Sequence, residues 1–293
     1  IPTFYVRLRQ DSKEAFLRLT HRLESLGLIP LLRRREEKVV LQAMPKPPTK
    51  PSRNIINIVL FFATLGTVFL SGYFISLDIV SAVMFTGAIM AIFGSHEMGH
   101  KLLANKHAVE ATYPYFIPGI PPFGTFGAVI QQKSLPPNRD ALFDLGFAGP
   151  VAGFIVSIIV TFIGVQLSVV TNQLPSNARE IEVPLLFQFI IRLFPPSGTD
   201  GWILFHPVAF AGWVGMVVTM LNLVPVGMFD GGHVARSLVG EREHRILSYL
   251  GIILLVIIWY PMAFLALLFS FYPHPCPLDD VSQPTTLRKL ASL

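Results

Sequence analysis

The chain has 293 residues, of which 52% are hydrophobic and only 14% are charged. Because soluble domains carry about 25% charged residues, this composition excludes a soluble globular protein and favours a membrane protein. A disulfide scaffold is also excluded, since the single cysteine, Cys276, cannot form an intrachain bridge.

The net charge of +5 comes from the start of the chain. Residues 1–53 contain 12 of the 23 Lys and Arg residues but only 5 of the 18 Asp and Glu residues. This segment lacks the aromatic residues and motifs of a nucleic-acid-binding protein, so we expect no nucleic-acid partner. We interpret the basic excess as a cytoplasmic face near anionic lipid.

Residues 1–45 have the pattern of a small cytoplasmic α+β accessory domain. Short strands are predicted at residues 4–8, 28–32 and 38–42, and an apolar stripe over residues 13–26 predicts a helix. Gly27 is a typical helix end. A run of prolines then predicts that residues 46–53 form a stiff linker.

The next apolar runs predict membrane-spanning helices. They occupy residues 55–75, 80–94, 142–170, 208–224 and 244–272. The first contains no charge, whereas the second continues directly into His96. The last contains Pro261 and forms either one long kinked span or a tight pair.

We therefore predict an α-helical polytopic membrane protein with five to six transmembrane helices, a short membrane-associated β segment and the small N-terminal α+β unit. The core is expected over residues 54–240 and the C-terminal transmembrane segment or segments over 241–273. A polar tail is expected over residues 274–293. Residues 171–206 are interpreted as a hydrophilic connection with a short amphipathic stretch at 185–193.

The basic residues also predict the orientation of the spans. Lys46, Lys50 and Arg53 precede the first span and favour a cytoplasmic N-terminus. Alternation of the spans then places the basic connection at residues 101–140 on the cytoplasmic side and the connection at 171–206 on the opposite side.

His96, Glu97 and His100 form the pattern HExxH. On a helix, residues i and i+4 share a face, so both imidazoles can reach one zinc ion while Glu97 serves as a general base. A surface helix with ordinary histidines is the alternative. That alternative is disfavoured, because the motif continues an apolar run and ionisable groups at membrane depth are costly unless they have a function.

A catalytic zinc needs a third protein ligand and an open position. Asp230 is the strongest candidate, because it ends an apolar helix broken by Pro225 and precedes two glycines. A turn role before Gly231 is the alternative. The other acidic residues considered lie on loops, breaks or charged runs: Asp78, Glu110, Asp140, Asp144, Glu241 and Glu243.

The HExxH span, followed on a later span by Asn222, Pro225, Asp230 and Gly231, resembles the site-2 protease family of intramembrane zinc metalloproteases. The second motif of that family reads Asn, two residues, Pro, four residues, Asp-Gly, and this chain matches every fixed position. The resemblance covers about residues 55–240. It includes residues 146–153, which are similar to the family's glycine-proline turn before its third core span.

The resemblance implies one Zn²⁺ per chain, bound by His96, His100 and Asp230. It implies Glu97 as the catalytic acid and base, and assigns Asn222 to substrate or oxyanion contact. The expected activity is hydrolysis of peptide bonds within or near transmembrane helices of membrane-protein substrates, in the lipid bilayer, as regulated intramembrane proteolysis. The sequence indicates no oligomeric state.

Residues 111–134 are rich in proline, glycine and aromatic residues, which excludes a regular helix. Within them, residues 123–131 can form a strand. An unwound substrate needs partners for its freed backbone groups, and an exposed strand edge supplies them. We therefore expect substrate contact at Gly124, Phe126, Gly127 and Val129. A loop that packs under the helices is the alternative.

Three other functions fit parts of the pattern. A membrane zinc transporter or sensor would use the same ligands but has no need of Glu97, and its sites are often repeated in two halves. A prenyl-protease-type membrane metalloprotease would take its third ligand from Glu241 or Glu243. A non-catalytic scaffold is disfavoured by the intact HExxH motif.

Overall fold

A computed structural model describes residues 2–8, 12–48, 54–173, 180–198, 201–270 and 276–291. Predictions that fall on the remaining residues lie outside the described part of the chain. These include two of the basic residues behind the orientation argument, Lys50 and Arg53.

The N-terminal unit consists of β1 (Thr3–Val6), α1 (Lys13–Glu24), β2 (Leu28–Arg35) and β3 (Lys38–Pro45). The three strands form an antiparallel sheet in the order β1-β3-β2. The hairpin of β2 and β3 extends further into the charged run than predicted, because Glu36 takes a left-handed conformation with φ of 54° and closes a tight turn. Phe16 and Leu32 form the small core of this unit together with Leu278.

Among the residues that the structure describes, three helices are long and apolar enough to cross a membrane: α2 (Asn54–Ser76), α3 (Ile79–Lys106) and α4 (Arg139–Leu167). The α3 helix continues unbroken from the apolar run through the HExxH motif. Asp78 caps the start of α3, where its carboxylate accepts the Ser81 backbone N–H at 2.7 Å. This residue is therefore a helix cap, as its position before an apolar run allows.

The α4 helix begins at Arg139, with the Asn138 side chain accepting the Ala141 backbone N–H at 2.9 Å. The stretch compared above with a turn before the third span, residues 146–153, instead lies inside α4, and Pro150 is an interior residue of the helix. That expectation was wrong. A proline is tolerated inside a membrane helix when neighbouring helices compensate for the lost backbone bond, and α4 makes its most extensive contacts with α3.

The region predicted to be non-helical contains an antiparallel hairpin of β4 (Tyr115–Pro118) and β5 (Thr125–Val129). The hairpin is attached to α2. Asn57 donates its side-chain amide to the carbonyls of Tyr113 and Pro114 at 2.8 and 3.0 Å, and the Thr67 hydroxyl donates to the Gly124 carbonyl at 2.7 Å. The first span therefore fixes the position of the hairpin.

The third predicted span ends earlier than residue 170, because α4 ends at Leu167 and β6 (Val169–Thr171) follows it. The connection interpreted as hydrophilic contains α5 (Leu185–Leu193) and β7 (Trp202–Leu204), and leads into α6 (Pro207–Asn222). Phe187 and Ile190 of α5 are buried against Val165, Ala209 and Met216. The amphipathic stretch thus packs its apolar face onto α4 and α6. The 16 residues of α6 make it shorter than the three longest apolar helices.

Four helices complete the described chain: α7 (Asp230–Leu238), α8 (Glu241–Ile258), α9 (Tyr260–Ser270) and α10 (Thr286–Ala291). A break at Trp259 separates α8 from α9, and the two helices contact each other. The last apolar run therefore forms a pair of helices, not one long kinked helix. Asp230 does not end the preceding apolar helix, as expected from Pro225, but begins α7. An acidic residue in the first turn of a helix is favoured by the helix dipole.

Candidate metal centre

Three side chains converge between α3 and the start of α7. The Nε2 atoms of His96 and His100 lie 3.1 Å apart. The Asp230 carboxylate reaches both, with Oδ2 at 3.1 Å from His96 Nε2 and Oδ1 at 3.3 Å from His100 Nε2. The structure therefore brings together all three residues that the sequence predicts as ligands.

The donor atoms have the spacing of a tetrahedral zinc site. Zinc binds nitrogen and carboxylate oxygen at about 2.0–2.2 Å, which places neighbouring ligand atoms of a tetrahedron about 3.3 Å apart. The three observed separations of 3.1–3.3 Å agree with this value. Two imidazoles and one carboxylate also form a donor set typical of catalytic zinc, so the residues present fit the ion.

The His100 ring is held in the tautomer that a metal ligand requires. Its Nδ1 atom lies 2.6 Å from the Leu145 carbonyl, which can only accept a hydrogen bond. Nδ1 therefore carries the hydrogen, and Nε2 keeps its lone pair for a metal. Leu145 was not predicted, because a backbone carbonyl in an apolar helix leaves no signal in the sequence.

Glycines let α4 approach the two histidines. A Cβ atom on Gly149 would overlap the His100 imidazole, and one on Gly153 would lie 3.1 Å from the His96 Cβ. On the opposing helix, a Cβ on Gly99 would lie 2.6 Å from the Ala148 carbonyl oxygen. The small residues of both helices therefore allow the α4 backbone to form one wall of the site.

Glu97 is buried beside the donor cluster. Its carboxylate oxygen lies 4.0 Å from His96 Nε2, and only 5% of the residue is exposed. Glu97, His96 and His100 also form a group of buried residues whose ligand atoms lie within 4.8 Å of one another. Glu97 is thus close enough to act on a group bound by the histidines and Asp230, without being needed as a ligand.

The predicted oxyanion contact, Asn222, is the last residue of α6. It is half-buried, and its side chain makes no hydrogen bond among the described residues. The residues that follow it lead through Pro225 to Asp230, so one short segment carries both residues.

The hairpin lies beside the HExxH helix. The ring of Phe93, one helical turn before Glu97, lies within 4 Å of the position of a Cβ on Gly127, and the Ile130 backbone faces the Glu97 carboxylate. Phe126 and Val129 are 70% and 51% exposed. Gly124, the other residue predicted to contact substrate, precedes β5, and its backbone packs against α2.

The remaining histidines and acids have other contacts. His107 pairs with Asp144 at 2.8 Å, and Asp140 pairs with Lys13 at 3.1 Å. Glu241 pairs with Arg245 on the exposed side of α8 at 3.2 Å. His233 follows Asp230 by less than one turn, and its Cβ lies 2.7 Å from the position of a Cβ on Gly146.

Comparison with known proteins gives one family. The model of peptidase family M50 matches residues 84–259, which is more than half of the chain. The matched region contains the HExxH motif with most of α3, and all of α4, α6 and α7. No solved structure matches the chain.

Curated plant proteins also resemble the chain. A probable zinc metalloprotease EGY1, chloroplastic, of Oryza sativa subsp. japonica is 37% identical over 171 residues, covering 55% of this chain and 29% of the relative. The protein of the same name from Arabidopsis thaliana is 33% identical over 217 residues, covering 69% of this chain and 39% of the relative. The chain therefore spans well under half of the length of these relatives.

Proposed function

Because the chain belongs to peptidase family M50, the site-2 protease family, we propose that it is an intramembrane zinc metalloprotease. Its substrates are membrane proteins, cut within or near their transmembrane helices. The observation that carries this proposal is the convergence of His96, His100 and Asp230 at zinc-ligand spacing with Glu97 buried beside them. The zinc metalloproteases named above support the choice of metal.

A zinc ion bound by His96, His100 and Asp230 would polarise the scissile carbonyl and acidify a water molecule. Glu97 takes the proton from the attacking water and delivers it to the nitrogen of the leaving amine. The Asn222 side-chain amide donates a hydrogen bond to the oxyanion of the tetrahedral intermediate. Burial of the cluster strengthens each of these electrostatic interactions, since the apolar surroundings screen them weakly.

The β5 strand presents the substrate. Within the described part of the chain it pairs only with β4, so its other edge can accept an extended backbone. Successive N–H groups of a strand point to opposite edges. The Gln131 N–H donates to Thr112 on the β4 side, whereas the Ile130 backbone faces Glu97, so a substrate on the free edge passes Glu97.

The membrane topology belongs to the same proposal. Lys46 lies 3.5 Å from Glu110 and Lys13 lies 3.1 Å from Asp140, which supports placing residues 1–45 on the same side as the 101–140 connection. With the basic residues before α2, that side is the cytoplasmic one. Residues 276–291 contact the N-terminal unit and therefore lie on the cytoplasmic side as well. In this arrangement α8 leads away from the cytoplasmic side and α9 returns to it, which gives six apolar segments in the membrane.

The rival functions fit this geometry less well. A transporter or sensor does not explain a buried carboxylate 4.0 Å from a ligand atom. A prenyl-protease-type site needs Glu241 or Glu243, but Glu241 is engaged with Arg245 on an exposed face.

The proposal is tested by variants that distinguish the role of Glu97 from that of the zinc ligands. In detergent-purified protein, Glu97→Gln should keep one zinc per chain and lower cleavage of a transmembrane reporter about 10²–10⁴-fold, because the amide cannot carry the proton. His96→Ala and Asp230→Ala should lose zinc as well as activity. Full zinc occupancy in Asp230→Ala would exclude it as the third ligand, and undiminished cleavage by Glu97→Gln would exclude the mechanism.

A further inference from the structure

Residues 276–291, which we call the strap, lie between the N-terminal unit and α4. The Leu32 N–H donates to the Leu278 carbonyl at 2.9 Å, and the Asp280 N–H donates back to the Leu32 carbonyl at 3.1 Å. On the other side, the N–H groups of Leu278 and Asp279 donate to the carbonyls of residues 136 and 137 at 2.8 and 3.0 Å. The strap thus joins the edge of β2 to the start of α4.

A buried carboxylate fixes the strap in this position. Asp279 is fully buried, and it accepts the Ser12 hydroxyl at 3.1 Å and the backbone N–H groups of Val281 and Ser282 at 2.9 and 3.0 Å. A buried charge is tolerated only when hydrogen bonds replace its lost hydration. The strap is therefore fixed in the one position in which the Asp279 carboxylate accepts all of these hydrogen bonds.

The neighbouring residue, Asp280, joins two helices of the metal centre. Its Oδ1 atom accepts Arg139 Nε at 3.1 Å, on α4, and its Oδ2 atom accepts Arg236 Nη2 at 2.6 Å, on α7. Arg236 is 1% exposed. Although burial alone would lower the pKa of Arg236, its bond to Asp280 raises that pKa above the ordinary value.

Asp280 contacts α7, which is also the helix that supplies the third proposed zinc ligand. Asp230 is the first residue of α7, and Arg236 follows it by less than two turns. The other helix, α4, supplies the Leu145 carbonyl that orients His100. Asp280 therefore bridges the two elements whose relative position sets the distance between Asp230 and the imidazoles.

The far end of the strap is anchored on α4 as well. Arg288 donates to both carboxylate oxygens of Asp144 at 2.7 and 2.6 Å, and the Thr285 N–H donates to Asp140 at 2.9 Å. These contacts hold the strap to α4 without touching α7. Within the strap, Cys276 Sγ also accepts Arg236 Nη2 at 3.3 Å, but Asp280 is the residue that joins Arg236 to α4 through Arg139.

We propose that Asp280 is a positioning residue of the metal centre: by holding Arg236 against α4, it keeps Asp230 at ligand distance from His96 and His100. This inference rests on the proposed zinc site. Residues that orient metal ligands typically change metal affinity about 10–100-fold when they are replaced. The same change is therefore expected when the bond between Asp280 and Arg236 is removed.

The test measures zinc affinity in the full chain by competition with a chelator. Asp280→Asn should raise the zinc Kd about 10–100-fold, while helix content and elution remain those of the wild type. Glu241→Gln, which breaks an exposed ion pair on α8, is the control and should leave the Kd unchanged. Asp144→Asn, which loosens the strap without touching α7, should change the Kd less than Asp280→Asn does.

A double-mutant cycle separates positioning from general stability. If Asp280 acts through Arg236, the losses in zinc affinity caused by Asp280→Asn and Arg236→Met are not additive. The visible spectrum of the cobalt-substituted protein should also change in Asp280→Asn, because the ligand geometry is altered. Where Asp280→Asn does not fold, Asp280→Glu replaces it, with a smaller rise in Kd expected.

The two proposals fail in different ways. A wild-type chain that binds no zinc removes both. Zinc binding by the wild type, its loss in Asp230→Ala and a wild-type Kd in the folded Asp280 variant would overturn the role of Asp280 alone. Additive losses in the cycle would do the same.

Discussion

Gly149 is a residue of α4 whose missing side chain leaves room for the His100 imidazole. Alanine has the higher helix propensity by about 1 kcal/mol, so propensity alone predicts that Gly149→Ala stabilises α4. The added Cβ would, however, overlap the His100 ring. Forcing an extra methyl group into a packed site costs about 1–3 kcal/mol, so the clash outweighs the propensity.

We therefore expect Gly149→Ala to displace His100 and to lower zinc content and cleavage together. The zinc content per chain of the purified variant measures this. Gly87→Ala is the matched control, because it lies on α3 and no atom lies within 4 Å of its added Cβ. A Gly149→Ala variant with the zinc content of the Gly87→Ala variant would show that α4 does not confine the ring.

Asn222 allows a second prediction at the level of a residue. If its amide stabilises the oxyanion, Asn222→Ala should lower kcat about 10²–10³-fold with zinc retained. If it only ends α6, the variant should lose stability and cleave at the wild-type rate once folded. Single-turnover cleavage by zinc-loaded protein distinguishes the two roles.

The residues at the site differ in how far the sequence reveals them. His96, Glu97, His100 and Asp230 were predicted because charged groups in apolar runs are costly and their spacing suits a metal. Leu145 and Gly149 were missed, since a carbonyl acceptor and a missing side chain act only through a helix packed beside them. The start of α7 at Asp230 was open to prediction, because an acidic first turn favours a helix start.

The β4–β5 hairpin is the element on which the substrate proposal rests. By alternation along the strand, the Ala128 N–H points to the same free edge as that of Ile130. Ala128→Pro removes this donor, so cleavage should fall about fivefold or more, since one hydrogen bond is worth about 1 kcal/mol and proline also fixes φ. Ala128→Val keeps the N–H and should cleave at nearly the wild-type rate.

Both variants at Ala128 should keep their zinc, because no proposed ligand lies in the strand. Alanine at Phe126 or Val129 should have a smaller effect than Ala128→Pro. Equal cleavage by Ala128→Pro and Ala128→Val would reject strand pairing and leave the zinc mechanism intact.

Elements that depend on the composition of a few neighbouring residues were predicted more successfully than elements that depend on pairing between distant segments. The extended stretch at 123–131 and the apolar helices follow from composition over a few residues. The strap appeared in the sequence only as part of a polar tail, because its partners, such as Leu32 and Asp140, lie more than a hundred residues away in the chain. Pairing across such distances leaves no periodic pattern.

At the scale of the whole molecule, the contacts at the two ends of the spans predict the topology. Single cysteines placed at Glu36 and Lys106, in a Cys276→Ser background, should react with a membrane-impermeant reagent from the cytoplasmic side. Cysteines at Asp78 and Asn172 should react from the opposite side, since Ser81 contacts His206 at that end at 3.2 Å. Labelling of Glu36 and Asn172 positions from the same side would contradict the topology.

The order of residues in the chain gives the strap a consequence for biosynthesis. A ribosome adds about 5–20 residues per second, so His96, His100 and Asp230 are in the nascent chain seconds before Asp280 is. Until then, Arg236 has no carboxylate to hold it against α4. On the proposed role of Asp280, a growing chain that has not yet reached Asp280 binds zinc about 10–100-fold more weakly than the same chain after Asp280 has been added.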